Sequence, residues 1–313
     1  MRMRFLLLLF IFYGAFSVWA QVHTFLNVQV ENDYINWWGN GSDRFYTGGN
    51  FISLQRVRQH KPIRSFGVEL VQKAYTPSNL QTSQVEEMDY PYAGLFYIRQ
   101  SIVIVPIQCK WAFLGRLSYG TSGPRSGVAQ FQVGLHHLIG DEVPLGWFTM
   151  KNSYPFRQVE LSFNFPLQLS NRFSLGLVQL VEGGTFFNRW VGQGWIFWGD
   201  QPLPFFPAID GIIIHQAAQF SDTKKVFTGL FLSGGFQHMV RDRIVEEAMY
   251  NKTVQVSSSE RFSFLRRTTP TISGIFFIKY QRVALQLSQN WRVLSIVSLP
   301  AHFFGAIGFS FQL

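Results

Sequence analysis

The chain has 313 residues, 47% hydrophobic and 17% aromatic with 33 Phe, but only 14% charged, against about 25% charged in soluble domains. Its single cysteine, Cys109, excludes an intramolecular disulfide framework and a cysteine-based zinc cluster. The net charge of +9 points to an anionic partner; the basic residues are dispersed and form no recognition motif, which favours a phosphate-bearing lipid surface over nucleic acid. Mean hydropathy is nonetheless only +0.08. A greasy composition that averages to neutral is what a transmembrane β-barrel produces, because lipid-facing and lumen-facing side chains alternate along each strand.

In chain order, Met1 to Ala20 reads as a secretory signal. Arg2 and Arg4 form a positive start, Phe5 to Phe16 an apolar core, and Ser17 to Ala20 the small-residue region that a signal peptidase reads. Cleavage before Gln21 is expected, with an uncleaved N-terminal anchor as the other reading. No later run reaches the roughly 18 apolar residues of a spanning helix. Strict alternation begins at Phe25–Asp33, where Leu26, Val28 and Val30 oppose Asn27, Gln29, Glu31 and Asp33. It resumes at Thr47–Gln55, with Thr47, Ser53 and Gln55 opposing Ile52 and Leu54. Between the two lies the densest polar chemistry of the chain: Glu31, Asn32, Asp33, Asp43 and Arg44, with Trp37 and Trp38. Oxygen donors at facing strand ends suit a hard cation; the same residues also make an ordinary polar hairpin loop.

Gly127–Leu138 breaks the β period. Phe131, Leu135 and Leu138 fall at helical spacing, and Gln132 and His136 lie four apart on one face. Gly123-Pro124 turns the chain before it. Gly140, Asp141 and Glu142 end it, and Pro144 bars its continuation. A short loop helix presenting Gln132, His136 and Glu142 is expected. Alternation returns at Val159–Phe165, Phe173–Leu177, Val283–Ser288 and Ile307–Leu313. The apolar phase is rich in Phe and the other carries Gly, Ser, Gln and Asn, as for lipid outside and a wet lumen inside. Trp37, Trp38, Trp111, Trp190, Trp195, Trp198 and Trp291 are candidates for interfacial girdles, with the filling of packed loops as the other reading for some of them. Residues 185–210 and 240–262 read as long loops. The roughly 293 residues after the signal, at about 24 per strand and connection, make about 12 strands. The expected fold is therefore an all-β, antiparallel transmembrane barrel in one domain, residues 21–313, with a short helix in an extracellular loop.

Three blocks carry a resemblance: ENDY…DRFYTGG, QKAYTPSN…DYPYAG and GTSGP…QFQVGLHHLIGDEVPLGW. In this order and spacing they resemble the lipid A 3′-O-deacylase (LpxR-like) family of bacterial outer membranes, over roughly Val28 to Trp147. The resemblance implies a 12-stranded barrel with its site near the outer rim beside a loop helix. It implies calcium-dependent hydrolysis of the 3′-linked acyl ester of lipid A, with a His that activates water and Ca2+ that stabilises the oxyanion. It carries the catalytic base to His136, with Gln132 and Asn32 as its catalytic partners, and the metal-site residues to Asp33, Thr47 and Glu142. His137 does not share the face of Gln132. Two departures stand out: Asp89-Tyr90-Pro91-Tyr92-Ala93-Gly94 lacks the Arg found in relatives, and Ser78 to Gln84 lacks the Lys that some members carry. Arg44 and Lys73 are the substitutes considered for contact with substrate phosphate.

The chemistry is consistent with these roles. Ester hydrolysis needs a base near neutral pKa and a positive centre at the developing oxyanion. No Gly-x-Ser-x-Gly elbow and no phosphate loop is present. The expected protein is an outer-membrane lipid A acyl-ester hydrolase that acts on lipopolysaccharide among outer-membrane lipids, as a monomer and without nucleic acid. A non-catalytic barrel, as pore or structural protein, and an outer-membrane phospholipase are the alternatives.

Overall fold

The computed structural model describes residues 22–36, 44–58, 63–106, 111–200, 226–246, 266–294, 296, 299 and 301–313. The expected signal segment, Trp37, Trp38, Asp43 and Cys109 lie outside them. The described strands are β1 (Val22–Asn32), β2 (Phe45–Arg58), β3 (Ile63–Thr76), β4 (Ala93–Val105), β5 (Ala112–Ser122), β6 (Pro155–Gln168), β7 (Phe173–Gly184), β8 (Phe187–Gly199), β9 (Val226–Asp242), β10 (Thr268–Tyr280), β11 (Val283–Arg292) and β12 (His302–Gln312). Each pairs antiparallel with its sequence neighbours. β1 closes on β12, from Phe25 opposite Gln312 to Asn32 opposite Gly305. Closure leaves no unpaired strand edge, the condition for crossing lipid with strands.

Alternation sets the two faces. On β6, Val159, Leu161, Phe163 and Phe165 are exposed outside, while Gln158, Glu160, Ser162 and Asn164 are buried inside. Sequence suggested a wet lumen, but the interior is packed. Arg116 donates to Glu160 at 2.8 Å, Arg99 to Glu69 at 2.7 Å and Arg189 to Glu182 at 2.6 Å. Such pairs offset their desolvation only where further hydrogen bonds complete them, and here Gln158 adds one to Glu182 at 3.0 Å. An aromatic cluster that includes Phe45, Tyr90, Tyr97 and Phe156 fills the end of the barrel where β1 ends and β2 begins. A second cluster with Val178, Trp195, Phe197, Phe231 and Phe277 fills the opposite end.

Residues 187–199 correct the loop expected over 185–210. Trp190, Ile196 and Trp198 face outward, while Val191, Trp195 and Phe197 face inward, so alternation persists through Gly192 and Gly194. A Cβ on Gly192 would lie 3.1 Å from the Trp190 ring, so here glycine makes room for an aromatic neighbour rather than marking a loop. Trp195 is likewise no girdle residue: its indole donates to Asn164 inside the barrel at 2.9 Å. Of the second expected loop, residues 240–242 belong to β9, and most of the remainder lies outside the described residues.

The connections after β1, β3, β5, β7, β9 and β11 emerge at one end, which is where the candidate site lies. Most connections at the other end are short, as periplasmic turns are, so the site end faces outward from the cell.

Candidate functional site on the outer wall

The β5–β6 connection folds back onto the outside of the barrel. Gly123 and Gly127 take positive φ, +80° and +69°, and bracket a turn at Pro124–Ser126. Helix α1 (Val128–Ile139) follows, and Gly140 ends it at φ +72°. The helix expected from the sequence therefore forms within a residue of its expected bounds. Its buried face is Val128, Gln132 and His136, four apart. Its apolar residues Phe131, Leu135, Leu138 and Ile139 point outward, the reverse of a loop helix in water.

A row of small residues seats the helix. Asn32, Gly48, Ala74 and Gly94 are successive partners across β1, β2, β3 and β4, in the outer phase of the wall. A Cβ on Gly94 would lie 2.7 Å from both Ser126 Oγ and Val128 Cβ, so only glycine lets the helix begin there. Ala74 packs against the cluster of Met88, Tyr92, Val128 and Trp147. At Gly48 a Cβ would meet the Glu31 carbonyl at 3.0 Å and Asn32 Nδ2 at 3.5 Å, so its absence keeps the space beside Asn32 open.

His136 is only 4% exposed, whereas the adjacent His137 is exposed. His136 Nδ1 lies 2.6 Å from the main-chain carbonyl of Glu142. A carbonyl can only accept, so Nδ1 is the donor, and Nε2 is the nitrogen left for chemistry. Asp141 Oδ2 stands 3.9 Å from the same Nδ1. One turn earlier, Gln132 Oε1 accepts from the Trp147 indole at 3.0 Å, which sets the orientation of its amide. Both polar residues of the buried face are thus held by one return segment, Glu142 to Trp147.

That segment is itself clamped by the β3–β4 connection. The Leu145 amide donates to the Leu80 carbonyl at 2.9 Å, Tyr92 Oη donates to the same carbonyl at 2.9 Å, and Gln81 donates to the Val143 carbonyl at 3.1 Å. Gly146 packs against the Tyr92 ring, and a Cβ there would lie 2.7 Å from the Thr82 carbonyl. Trp147, centred 5.0 Å from the Tyr92 ring, is the residue that sequence reading missed. It stands at the end of the third quoted block, and a buried indole requires an acceptor.

At the rim of β1 and β2, Asp33 is 2% exposed. Its amide donates to the Thr47 carbonyl at 3.3 Å, and its Oδ2 accepts from the Arg44 amide at 2.7 Å. Asn32 Oδ1 accepts from the Tyr34 amide at 2.6 Å. Thr47 does not share a regular phase with Ser53 and Gln55. A β-bulge between Tyr46 and Gly48 leaves it as the extra residue, and its hydroxyl meets that of Thr76 at 2.6 Å. Thr76 continues the outer phase of Ala74. At the rim, then, Asp33 meets Thr47 through the main chain and Thr47 meets Thr76 through the hydroxyls, above the wall row that carries α1.

The Glu142 carboxylate is exposed; its carbonyl, not its acid, reaches His136. Nor do the described residues hold a group of three or more His, Cys, Asp or Glu able to bind a metal. The rim donors are a carboxylate, two hydroxyls and main-chain carbonyls. All are oxygens, which matches a hard cation rather than zinc. Of the two phosphate candidates, Arg44 stands at the rim through its amide on Asp33, and Lys73 lies elsewhere. Lys73 lines the interior, its ammonium 5.6 Å from the rings of Tyr46 and Phe51. The Arg44 guanidinium lies 5.9 Å from the Phe45 ring.

Residues 5–313 match the family model described as outer membrane protein LpxR. Among solved structures, LpxR from Salmonella typhimurium matches with a TM-score of 0.72 at 16% identity, covering 92% of this chain and 100% of that one. The β-domain of the Bordetella autotransporter BrkA matches at 0.43 and 7% identity, covering 93% and 98%. The translocator domain of NalP from Neisseria meningitidis matches at 0.43 and 9%, covering 100% and 95%. No curated protein sequence matches the chain.

Proposed function

Because the chain belongs to the outer membrane protein LpxR family, we propose that it is an outer-membrane hydrolase that removes an ester-linked acyl chain, at the 3′ position, from lipid A. The observation that carries this reading is the buried His136, oriented through Nδ1 by the Glu142 carbonyl on the lipid-facing side of the barrel. A pore has no use for such a group on its outer wall.

The steps follow from the residues. His136 Nε2 takes a proton from water as the water attacks the ester carbonyl, and returns it to the sugar oxygen that leaves. The Glu142 carbonyl holds the imidazole in the required tautomer throughout and stabilises the imidazolium. Gln132, oriented by Trp147, and Asn32 bind and orient the ester between helix and wall. The seat of the helix supports this grouping. The helix starts over Gly94 of β4 and packs on β3 as well, the strand that pairs with the β2 of Thr47. Asp33 and Thr47 are the residues that would hold calcium, with Glu142 completing the set only if its side chain turns inward. Bound there, the ion would supply positive charge to the developing oxyanion.

Mass spectrometry of lipid A incubated with the detergent-purified barrel, with calcium and with a chelator, tests the reading. The expected result is calcium-dependent loss of one ester-linked acyl or acyloxyacyl mass. Unchanged lipid A in both reactions overturns it, and release of fatty acid from glycerophospholipids instead would make the protein a phospholipase.

A further inference from the structure

The outward face of α1 and its return segment is built for lipid. Phe131, Leu135, Leu138, Ile139, Leu145 and Phe148 are all exposed, Leu138 by 81% and Phe148 by 67%. The helix itself contains no Asp, Glu, Lys or Arg. In water, a charge-free helix with this ridge would form a contiguous apolar patch of the kind that soluble surfaces avoid. Two of its polar residues, Gln132 and His136, are buried beneath it, while Gln130 and His137 are exposed beside the ridge.

The ridge also continues a surface that already faces lipid. The helix begins over Gly94 of β4, and the next outer-phase residues down that strand, Phe96 and Ile98, are exposed. On β5 the outer residues Leu117 and Tyr119 are exposed as well. The boundary with the polar layer is marked nearby: the Arg157 guanidinium lies 5.5 Å from the Tyr119 ring, and Arg125 and Lys151 are exposed at the two ends of the helical excursion. Aromatic and basic groups above an apolar band are the signature of a membrane interface.

We infer that this ridge is a membrane-contact surface whose partner is the acyl layer of the outer leaflet. The helix lies along the interface, with Leu138 and Phe148 dipping among the chains and Gln132 and His136 screened behind it. The surface holds the loop at the depth of membrane-embedded esters, and this functional consequence rests on the hydrolase reading above.

The test places a bimane label at Leu138→Cys, in a Cys109→Ser background, in the full chain reconstituted into phosphatidylcholine vesicles. Asn152→Cys, exposed on the same connection, is the comparison site. The expected result is at least about twofold quenching at position 138 by lipids brominated along the chain, with little quenching by aqueous iodide, and the opposite pattern at position 152. Iodide quenching at 138 without bromine quenching overturns the inference. Phe148→Cys repeats the measurement if Leu138→Cys does not fold. A second arm compares rates. Leu138→Ser combined with Phe148→Ser should lower hydrolysis of vesicle-embedded lipid A by at least about tenfold while leaving detergent-dispersed lipid A unaffected. Equal loss in both media counts against a lipid-contact role. Inactivity of the unmodified protein in both would sink the hydrolase reading but leave the quenching result standing.

Discussion

An imidazole whose Nδ1 proton is committed to a carbonyl keeps one nitrogen for chemistry, and that arrangement ties function to single residues. His136→Ala should lower acyl release by at least about 10²-fold, the usual scale for removing a general base, with the thermal unfolding of the barrel unchanged. A rate like that of the unmodified protein would remove His136 from the mechanism. Trp147 stands one step away, its indole on the Gln132 amide. Trp147→Phe keeps the ring against Tyr92 but deletes the donor, a loss of about 1 kcal/mol or roughly fivefold to tenfold in rate. In a Gln132→Ala background the same change should have no further effect, because the two act as one unit. Additive losses would mean that Trp147 does something else. The His136 and Gln132 pair was legible in the sequence because helical spacing places i and i+4 on one face. The Trp147 donor was not, because its contact spans fifteen positions and depends on a return loop whose path no local pattern encodes.

At the scale of elements, the decisive feature is how α1 sits on the wall. Gly94→Leu places a side chain where Ser126 and Val128 now lie, and overpacking of this kind costs about 1–3 kcal/mol. The lipid-facing phase of β4 tolerates leucine, so the strain falls on the helix and not on the barrel. The expected outcome is a protein that keeps its heat-modifiable mobility on gels but loses hydrolysis by about tenfold or more, since 1.4 kcal/mol in a local equilibrium is already tenfold. Gly134→Ala is the control. Its Cβ meets nothing within 4 Å, and it should leave activity intact while stiffening the helix by about 0.5–1 kcal/mol. Failure of Gly94→Leu to change activity would show that the helix need not be seated there. The bounds of α1 could be read from Gly127 and Gly140, which supply the positive φ angles at its ends. Which face it buries could not, because an apolar stripe faces a core in water and faces away from it in lipid.

For the whole molecule, the filled interior separates an enzyme from a pore. Buried Arg–Glu pairs, each between partners on adjacent strands, line the lumen between two apolar clusters. The cavity among Lys73, Arg99 and Arg189 amounts to about 90 Å³, room for a few waters rather than a conduit. Planar-bilayer recordings should therefore show no stable steps of porin size. Sustained conductance of that size would revive the pore alternative and call for displacement of these ion pairs.

The sequence by itself determined the barrel. Period-two alternation, an apolar phase rich in Phe and the absence of a spanning helix leave few other ways to satisfy every backbone hydrogen bond in lipid. It also named the pieces of the candidate site, because motif order and helical spacing are local properties. Tertiary structure decided the rest. It closed β1 on β12 and converted an aromatic, glycine-interrupted stretch into β8. It bulged Thr47 out of phase to meet Thr76, and brought the carbonyl of Glu142, rather than its acid, to His136. Each of these depends on which residues become neighbours across the wall, and strand register and loop return paths are set by the summed packing of the closed barrel rather than by any one stretch of chain.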